Sequence, residues 1–130
     1  MKLLLDTHIV LWVLTGDSRL SPRAIERITE ADQVFVSAAS IWEIAIKHGL
    51  NRAGSNRMPY SGAAAIDRCQ ASGFEFLSMT PRHAAAAGLL PDLHGDPFDR
   101  LLVAQAQTEP LILLTHDQAV AAYSDTIVLV

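Results

Sequence analysis

Short apolar segments alternate with longer helix-forming segments along the whole chain, and this alternation restricts the fold more than any other feature. In the first segment three leucines follow one another at positions 3–5, which is typical of a strand buried on both faces of a parallel sheet. The alternation predicts an α/β fold, in which helices cover both faces of a central, mostly parallel sheet of four to five strands. The predicted strands are Lys2–Leu5, Val34–Ser37, Phe74–Ser78, Leu111–Leu114 and Thr126–Val130.

Helix-start signals stand between the predicted strands. Ser21, Thr80 and Asp96 each precede a proline, so a capping side chain is followed by the residue that best suits the first helical position. Thr7 is a further candidate cap, for the helix that follows the first strand. The predicted helices cover residues 9–14, 22–31, 38–50, 61–72, 81–88, 97–108 and 118–123.

The composition bounds the class of protein. A chain of 130 residues, half of them hydrophobic, is long enough for one domain with a single core, which we expect to span residues 1–130. The net charge of −4 argues against a generally basic nucleic-acid binder, although it is compatible with a local basic surface. Cys69 is the only cysteine, which excludes an internal disulfide and fits a reducing compartment. Asp6 and His8 interrupt the apolar N-terminus, so we expect no signal peptide, no membrane span and a cytoplasmic location.

The segment 94–106 places two carboxylates at the start of a predicted helix. Asp96 suits the N-cap and Pro97 the first helical position, so Asp99 falls at the third position, beside free backbone N–H groups. Asp99 also shares a face with three apolar residues further along the helix, which predicts that it points inward. Arg100, the next residue, is able to pair with an acid or to contact a phosphate.

Three further acids are candidates to meet Asp99. Asp6 and Asp117 each follow a predicted strand, and the carboxyl ends of parallel strands form the edge where ligands bind. Glu43 is the only charge within residues 38–46, where burial of an unpartnered carboxylate is unfavourable. Lys47 offers Glu43 a modest pair one turn away; the alternative is that Glu43 faces an acidic or metal site. Asp6, Asp99 and Asp117 also have a plain interpretation as helix caps or dipole partners.

Four carboxylates in one pocket would repel one another unless some were protonated or a cation neutralised them. Hard oxygen ligands without a cysteine or histidine cluster point to Mg²⁺ or Mn²⁺, which can activate water and stabilise charge on a phosphate. Asp6 and Asp99 are the candidates for direct ligands, and Glu43 for a water-mediated ligand or an orienter of the attacking water. For Asp117, a second-metal or outer-sphere role and a capping role remain equally open.

Four motifs carry a family resemblance over most of the chain. They are LLLDTHIVLWVL (3–14), SAASIWEIAIKHGL (37–50), LPDLHGDPFDRLLVAQA (90–106) and LILLTHD (111–117). In this order they resemble the PIN-domain nucleases, most closely the VapC-like ribonuclease toxins of bacterial toxin–antitoxin pairs. The resemblance implies a PIN-like three-layer α/β/α fold and a Mg²⁺-dependent endoribonuclease, in which Mn²⁺ is a possible substitute. The acidic quartet of the family maps onto Asp6, Glu43, Asp99 and Asp117, and the hydroxyl residue near its last acid onto Thr115. Asp96 is an extra acid that only part of the family carries, and a candidate for the outer coordination sphere.

The resemblance also implies partners. These are an RNA substrate, a small antitoxin whose tail blocks the pocket, and a second copy of the chain in a homodimer, for which the apolar helices near the N-terminus are a candidate surface. Residues 47–57 contain three cations and no acid, so Lys47, Arg52 and Arg57 are candidates to contact the RNA backbone. A solvated loop, or the docking of an acidic partner, explains the same tract equally well.

Other classes remain as alternatives. A dehalogenase-like phosphatase would need Asp-x-Asp after the first strand, and a receiver-type domain a lysine after a late strand; neither is present. A catalytically weak or inactive PIN-like module that binds nucleic acid or protein stays open. Trp12 and Trp42 are expected in the core. The histidines show no ligand spacing and are expected at the surface or in loops; they are His8, His48, His83, His94 and His116. Of these, His94 and His116 are expected near the site by position.

Overall fold

A computed structural model describes residues 1–50 and 58–130 and shows a five-stranded sheet in which every neighbouring pair is parallel. The strand order is β3-β2-β1-β4-β5. This confirms the predicted α/β class, with a sheet that is wholly rather than mostly parallel. The strands are β1 (Lys2–Leu5), β2 (Gln33–Ser37), β3 (Glu75–Leu77), β4 (Ile112–Thr115) and β5 (Val128–Leu129).

The helices follow the predicted order, and their starts agree with the capping signals. Ser21, Thr80 and Asp96 each accept a backbone N–H from the first turn of the helix that follows. At the first helix the cap is Asp6 rather than Thr7, which lies inside the helix and donates its hydroxyl to Ser40. The helices are α1 (Thr7–Thr15), α2 (Pro22–Glu30), α3 (Ala38–Leu50), α4 (Gly62–Ala71), α5 (Pro81–Leu89), α6 (Pro97–Thr108) and α7 (Gln118–Ala121).

The central strand β1 is apolar because both of its faces are covered. Leu3 and Leu5 pack on one side of the sheet with residues of α1, α2 and α4, whereas Leu4 packs on the other side with residues of α6 and α7. All three leucines are fully buried, and each contributes about 1.5–3 kcal/mol relative to an exposed side chain. Two apolar layers therefore clamp the sheet from opposite faces.

The strand order reverses between β1 and β4, and this reversal positions the site. The helix after β1 packs against the core on one face, and α7, after β4, contributes Val120 to the core on the other. A crevice opens where such helices diverge, at the carboxyl ends of the strands. Leu5 pairs with Leu114, so the next residues, Asp6 and Thr115, lie side by side at this crevice.

Two expectations about burial were wrong. Trp42, predicted in the core, is 61% exposed and contacts the ring of Phe98 edge-on with 5.4 Å between centroids. His83, predicted at the surface or in a loop, is fully buried because backbone and side-chain groups satisfy both of its ring nitrogens. Burial in both cases depends on the neighbours that a helix face contacts. The spacing of apolar residues along the helix does not specify those neighbours.

The first helix supplies the core with apolar side chains. Ile9, Val10 and Trp12 of α1 are buried against the sheet, which confirms the core position of Trp12. The dimer surface expected on the apolar helices near the N-terminus stays a prediction, and Ile25 of α2 is an exposed apolar side chain there. Within residues 1–50 and 58–130, no helix has the length and apolar character needed to cross a bilayer.

Candidate active site

Asp6 lies at the carboxyl end of β1 and is almost completely buried, with 3% of its surface exposed. One carboxylate oxygen accepts the Thr7 backbone N–H at 2.7 Å, and the other accepts the Thr115 hydroxyl at 2.6 Å. Asp6 therefore caps α1, as its plain interpretation predicted. This role leaves lone pairs on both oxygens, because a carboxylate has about four acceptor positions.

Asp99 occupies the third position of α6, as predicted. The capping role of Asp96 is confirmed, because its carboxylate accepts the N–H groups of Phe98 and Asp99 at 2.8 and 3.2 Å. This cap sets the start of the helix and thereby the direction of Asp99. The Asp99 carboxylate lies against His94, whose Nε2 is 2.7 Å from Oδ2.

Asp117 has the capping role that its position allowed, and its other oxygen faces His94. Its Oδ1 caps α7 by accepting the Ala119 N–H at 2.8 Å, while its Oδ2 lies 3.7 Å from Nε2 of His94. Its backbone N–H donates to the Thr115 hydroxyl oxygen at 3.1 Å. Since that hydroxyl donates to Asp6, Thr115 connects the two acids that follow β1 and β4.

Glu43 enters the site from α3, and its two carboxylate oxygens have different surroundings. Oε2 accepts a hydrogen bond from Lys47 Nζ at 2.7 Å, which is the pair expected one helical turn away. The residue is nevertheless 5% exposed, and Oε1 is buried with no hydrogen-bond donor among the described residues. A buried oxygen without a donor is unfavourable, so a hydrogen-bond donor or a cation beside Oε1 would stabilise this carboxylate.

The electrostatics connect these acids. Burial raises the pKa of Asp6 above its usual value, the Thr115 hydrogen bond opposes the rise, and the charge of Glu43 adds to it. Burial raises the pKa of Asp99 to about 6, helped by the charges of Asp6 and Asp96 and opposed by the hydrogen bond from His94. Partial burial lowers the pKa of Lys47, but Glu43, Asp96 and Asp99 together raise it above its usual value. The cluster therefore holds more negative charge than its protein partners neutralise.

The donor set fits a divalent cation. His94, Asp99 and Asp117 each offer one ligand atom, and these atoms lie within 4.8 Å of one another. The buried Oε1 of Glu43 is a further oxygen without a partner in the described chain. Carboxylate oxygens are the ligands that Mg²⁺ and Mn²⁺ prefer. An open cleft of about 420 Å³ lies beside the acids and is lined by Asp6, His8, Trp12, His116, Asp117 and Gln118.

A larger hollow of about 580 Å³ lies at the opposite edge of the sheet, where β2 and β3 begin. Its two acids are already paired: Asp32 with the amino group of Met1, and Glu75 with the amide of Gln33. Because its charges are satisfied, we place the chemistry at the carboxyl edge rather than in the larger hollow.

His94, Arg100 and Tyr123 form a support that sequence reasoning did not assign. The His94 backbone N–H donates to the Tyr123 hydroxyl at 2.9 Å. Arg100 donates to that hydroxyl at 3.1 Å and to four backbone carbonyls between residues 87 and 94, and it pairs with no acid among the described residues. The one available signal was position, since His94 precedes Asp99 by five residues.

The residues predicted to contact RNA are only partly described. Lys47 is bound to Glu43, while its side chain remains 43% exposed. Arg52 and Arg57 lie outside the described residues. An RNA-backbone role for these three cations therefore stays a prediction.

Comparison with known proteins identifies the family. The model of the PIN domain matches residues 3–125, a span that includes all four predicted site acids. The chain belongs to the PIN-domain family. Among PIN-domain relatives, it is 31% identical over 121 residues to Ribonuclease VapC22 of Mycobacterium tuberculosis (strain ATCC 25618 / H37Rv), covering 92% of this chain and 90% of the relative.

Solved structures show the same PIN-type fold. A chain in the crystal structure of VapBC2 from Rickettsia felis, bound to a DNA fragment from their promoter, superposes with a TM-score of 0.70 at 15% identity, covering 100% of this chain and 98% of that one. A toxin–antitoxin complex from Klebsiella pneumoniae gives a TM-score of 0.67 at 20% identity, with 96% and 94% covered. The predicted family and the three-layer PIN-like fold are confirmed.

Proposed function

We propose that this PIN-domain protein is a metal-dependent endoribonuclease and the toxin component of a toxin–antitoxin pair. The observation that carries the proposal is the buried Glu43 oxygen that lacks a donor among the described residues, in a group of acids whose charges act on one another. Similarity to Ribonuclease VapC22 supports RNA as the substrate class.

In this proposal Asp6, Glu43, Asp99 and Asp117 hold Mg²⁺, for which Mn²⁺ can substitute. The bound cation would lower the pKa of water for attack on phosphorus and stabilise charge on the scissile phosphate. The donor chemistry supports this assignment, because oxygen ligands dominate the cluster and its negative charge exceeds the positive charge of its protein partners.

The protein's own contribution is positioning. Thr7 and Thr115 fix the Asp6 carboxylate from two directions, and the Asp96 cap orients Asp99. Lys47 holds one oxygen of Glu43, so the other is left to accept a hydrogen bond from the attacking water and to orient it. Groups held in advance in this way lose little freedom when the substrate binds.

The proposed partners are a cognate antitoxin and a second copy of the chain. Support for the antitoxin comes from the similar structures, two of which are a VapBC complex and a toxin–antitoxin complex. A negatively charged cleft would be blocked by a basic segment of such a partner. The homodimer rests on the family resemblance alone.

The test is RNA cleavage by purified protein in Mg²⁺, comparing wild type with Asp6→Asn. We expect the substitution to reduce cleavage by at least about 100-fold, since it removes a proposed ligand, and EDTA to abolish the wild-type activity. Asp67→Asn is the matched control, because Asp67 is exposed on α4 and undergoes the same chemical change.

Cleavage that survived both EDTA and Asp6→Asn would contradict the proposal. A wild-type protein that binds Mn²⁺ but cleaves no RNA would instead favour the inactive PIN-like binding module. Co-expression with the neighbouring gene product tests the toxin role, because growth arrest should be relieved by a cognate antitoxin and by Asp6→Asn.

A further inference from the structure

We propose that His94 is a metal ligand, and that with Asp99 and Asp117 it forms a mixed imidazole–carboxylate site that prefers Mn²⁺ to Mg²⁺. The inference rests on the proposed metal-dependent function, because it shares Asp99 and Asp117 with the acidic quartet. It adds a nitrogen ligand to a set that the sequence motifs describe as oxygen only.

The first support is the distance between donor atoms. Nε2 of His94 lies 2.7 Å from Oδ2 of Asp99 and 3.7 Å from Oδ2 of Asp117, and the three ligand atoms lie within 4.8 Å of one another. Bonds of about 2.1 Å separate two ligands of one cation by roughly 3 to 4 Å. Small side-chain movements therefore suffice for all three atoms to share one ion.

The second support is the way His94 is held. Its backbone N–H donates to the Tyr123 hydroxyl at 2.9 Å, and its carbonyl accepts from Arg100 and Tyr123 at 3.4 Å each. Arg100 also binds the carbonyls of Ala87, Leu90 and Pro91, which anchors the connector that carries His94. These backbone contacts fix the position of His94, and the contacts of its Nε2 with Asp99 and Asp117 direct the imidazole at the two acids.

The third support is independent of His94. Oε1 of Glu43 is buried without a donor in the described chain, although the residue is only 5% exposed and lies close enough to add its charge to the field at Asp6. His94 contacts Asp99 and Asp117, so it leaves this oxygen unsatisfied. The acidic group that includes Asp6, Glu43 and Asp99 therefore still lacks a partner for one buried oxygen, which independently favours a cation in this group.

The choice of metal follows from the ligand types. Mg²⁺ takes oxygen ligands and keeps several waters. Imidazole suits the later first-row transition metals best, and Mn²⁺ begins that series while still accepting carboxylate ligands. Of the two ions that suit a carboxylate-rich PIN site, Mn²⁺ is the one that gains from a nitrogen ligand. On binding, the proton shared by Nε2 and Oδ2 would be released to solvent, and both atoms would then be free to bind the ion.

Pulsed electron paramagnetic resonance of bound Mn²⁺ tests the ligand directly, because a coordinated imidazole gives a ¹⁴N coupling. We expect that coupling in wild type and its loss in His94→Gln. Calorimetric titration should show Mn²⁺ affinity falling by about 10-fold or more in His94→Gln, with a smaller change for Mg²⁺. His116→Gln is the matched control, because His116 lines the same cleft and should leave the coupling intact.

A wild-type Mn²⁺ spectrum without ¹⁴N coupling, or a coupling lost in His116→Gln rather than in His94→Gln, would overturn the inference. The proposed nuclease would survive that result if Mg²⁺-dependent cleavage still required Asp6. Absence of Mn²⁺ binding together with EDTA-resistant cleavage would overturn both proposals. Thermal melts verify folding, and His94→Asn replaces the glutamine variant if that variant does not fold.

Discussion

Helix α6 contributes to two polar clusters that differ in one respect, the balance of donors and acceptors. Near its middle, Gln105 is fully buried, accepts the Ser37 hydroxyl at 2.5 Å and donates to the Ser78 carbonyl at 3.3 Å. Near its start, Asp99 lies among other carboxylates, and the site includes a buried Glu43 oxygen with no donor in the described residues.

His83, which is fully buried, completes the first of these clusters. We call this group of Ser37, His83, Gln105 and Glu109 the balanced cluster. The Thr80 N–H donates to Nδ1 of His83 at 3.1 Å, which leaves the ring proton on Nε2, where it is donated to Glu109 at 2.6 Å. Each bond of this kind contributes about 1 kcal/mol net, whereas an unpaired buried group is unfavourable by about 1–3 kcal/mol. We therefore expect the balanced cluster to stabilise the fold. The acids Asp6, Glu43, Asp99 and Asp117, which we call the unmatched cluster, are expected to bind a ligand instead.

Asp99→Asn should have the largest effect and should separate function from stability. We expect RNA cleavage to fall by at least about 100-fold, because a proposed ligand is lost. The melting temperature of the metal-free protein should not fall, since the change removes one charge from a crowded acidic cluster. Calorimetric melts in EDTA check this, and a clear loss of stability would show that the carboxylate is structural.

Gln105→Glu places an unmatched charge in the balanced cluster. The new carboxylate oxygen would face the Ser78 carbonyl and Nδ1 of His83, neither of which donates to it. We expect the free energy of unfolding to fall by about 3 kcal/mol. Urea denaturation measures this, with Gln107→Glu, an exposed neighbour on the same helix, as the control. Equal effects at both positions would contradict the comparison.

Metal should stabilise the wild-type protein through the unmatched cluster alone. At a free Mn²⁺ concentration 100 times Kd, the folded state gains about 2.7 kcal/mol if the ion binds only that state. Thermal melts with and without Mn²⁺ should show this shift for wild type and for a Ser37→Ala variant of the balanced cluster. A shift that persisted undiminished in Asp99→Asn would place the metal elsewhere.

Glu43→Gln should have the smallest effect on stability. The amide keeps the shape of the side chain and gains a donor, so we expect the metal-free protein to change by less than about 1 kcal/mol. Cleavage should nevertheless be lost, because the amide no longer provides a second anionic oxygen for the water. Parallel melts and cleavage assays measure the two effects, and a retained cleavage rate would remove Glu43 from the mechanism.

Features governed by near neighbours in the chain were predictable from the sequence. The run of leucines in β1 specifies a strand buried on both faces, and Asp96 with Pro97 specifies the start of α6, because a cap acts within three residues of itself. The positions of Asp6 and Asp117 after strands predicted a shared edge, since all strands of a parallel sheet end on one side.

Contacts between distant segments decided the rest. Trp42 is exposed and His83 buried because burial depends on which helix face meets a neighbour, and the spacing of apolar residues does not identify that neighbour. Arg100 binds the connector instead of an acid, because the end of α5, the connector to α6 and Tyr123 together bring five oxygens within its reach.

The acidic site combines features that the sequence predicts with features that only the tertiary structure decides. The sequence predicts that Asp6 and Asp117 follow strands and that Asp99 begins a helix, because these positions depend on local geometry and on the order of the elements. Only the tertiary structure buries the second oxygen of Glu43 without a donor among the described residues, and directs His94 at Asp99 and Asp117. Hydrogen-bond balance is a property of atoms brought together from separate segments, so folding alone reveals it.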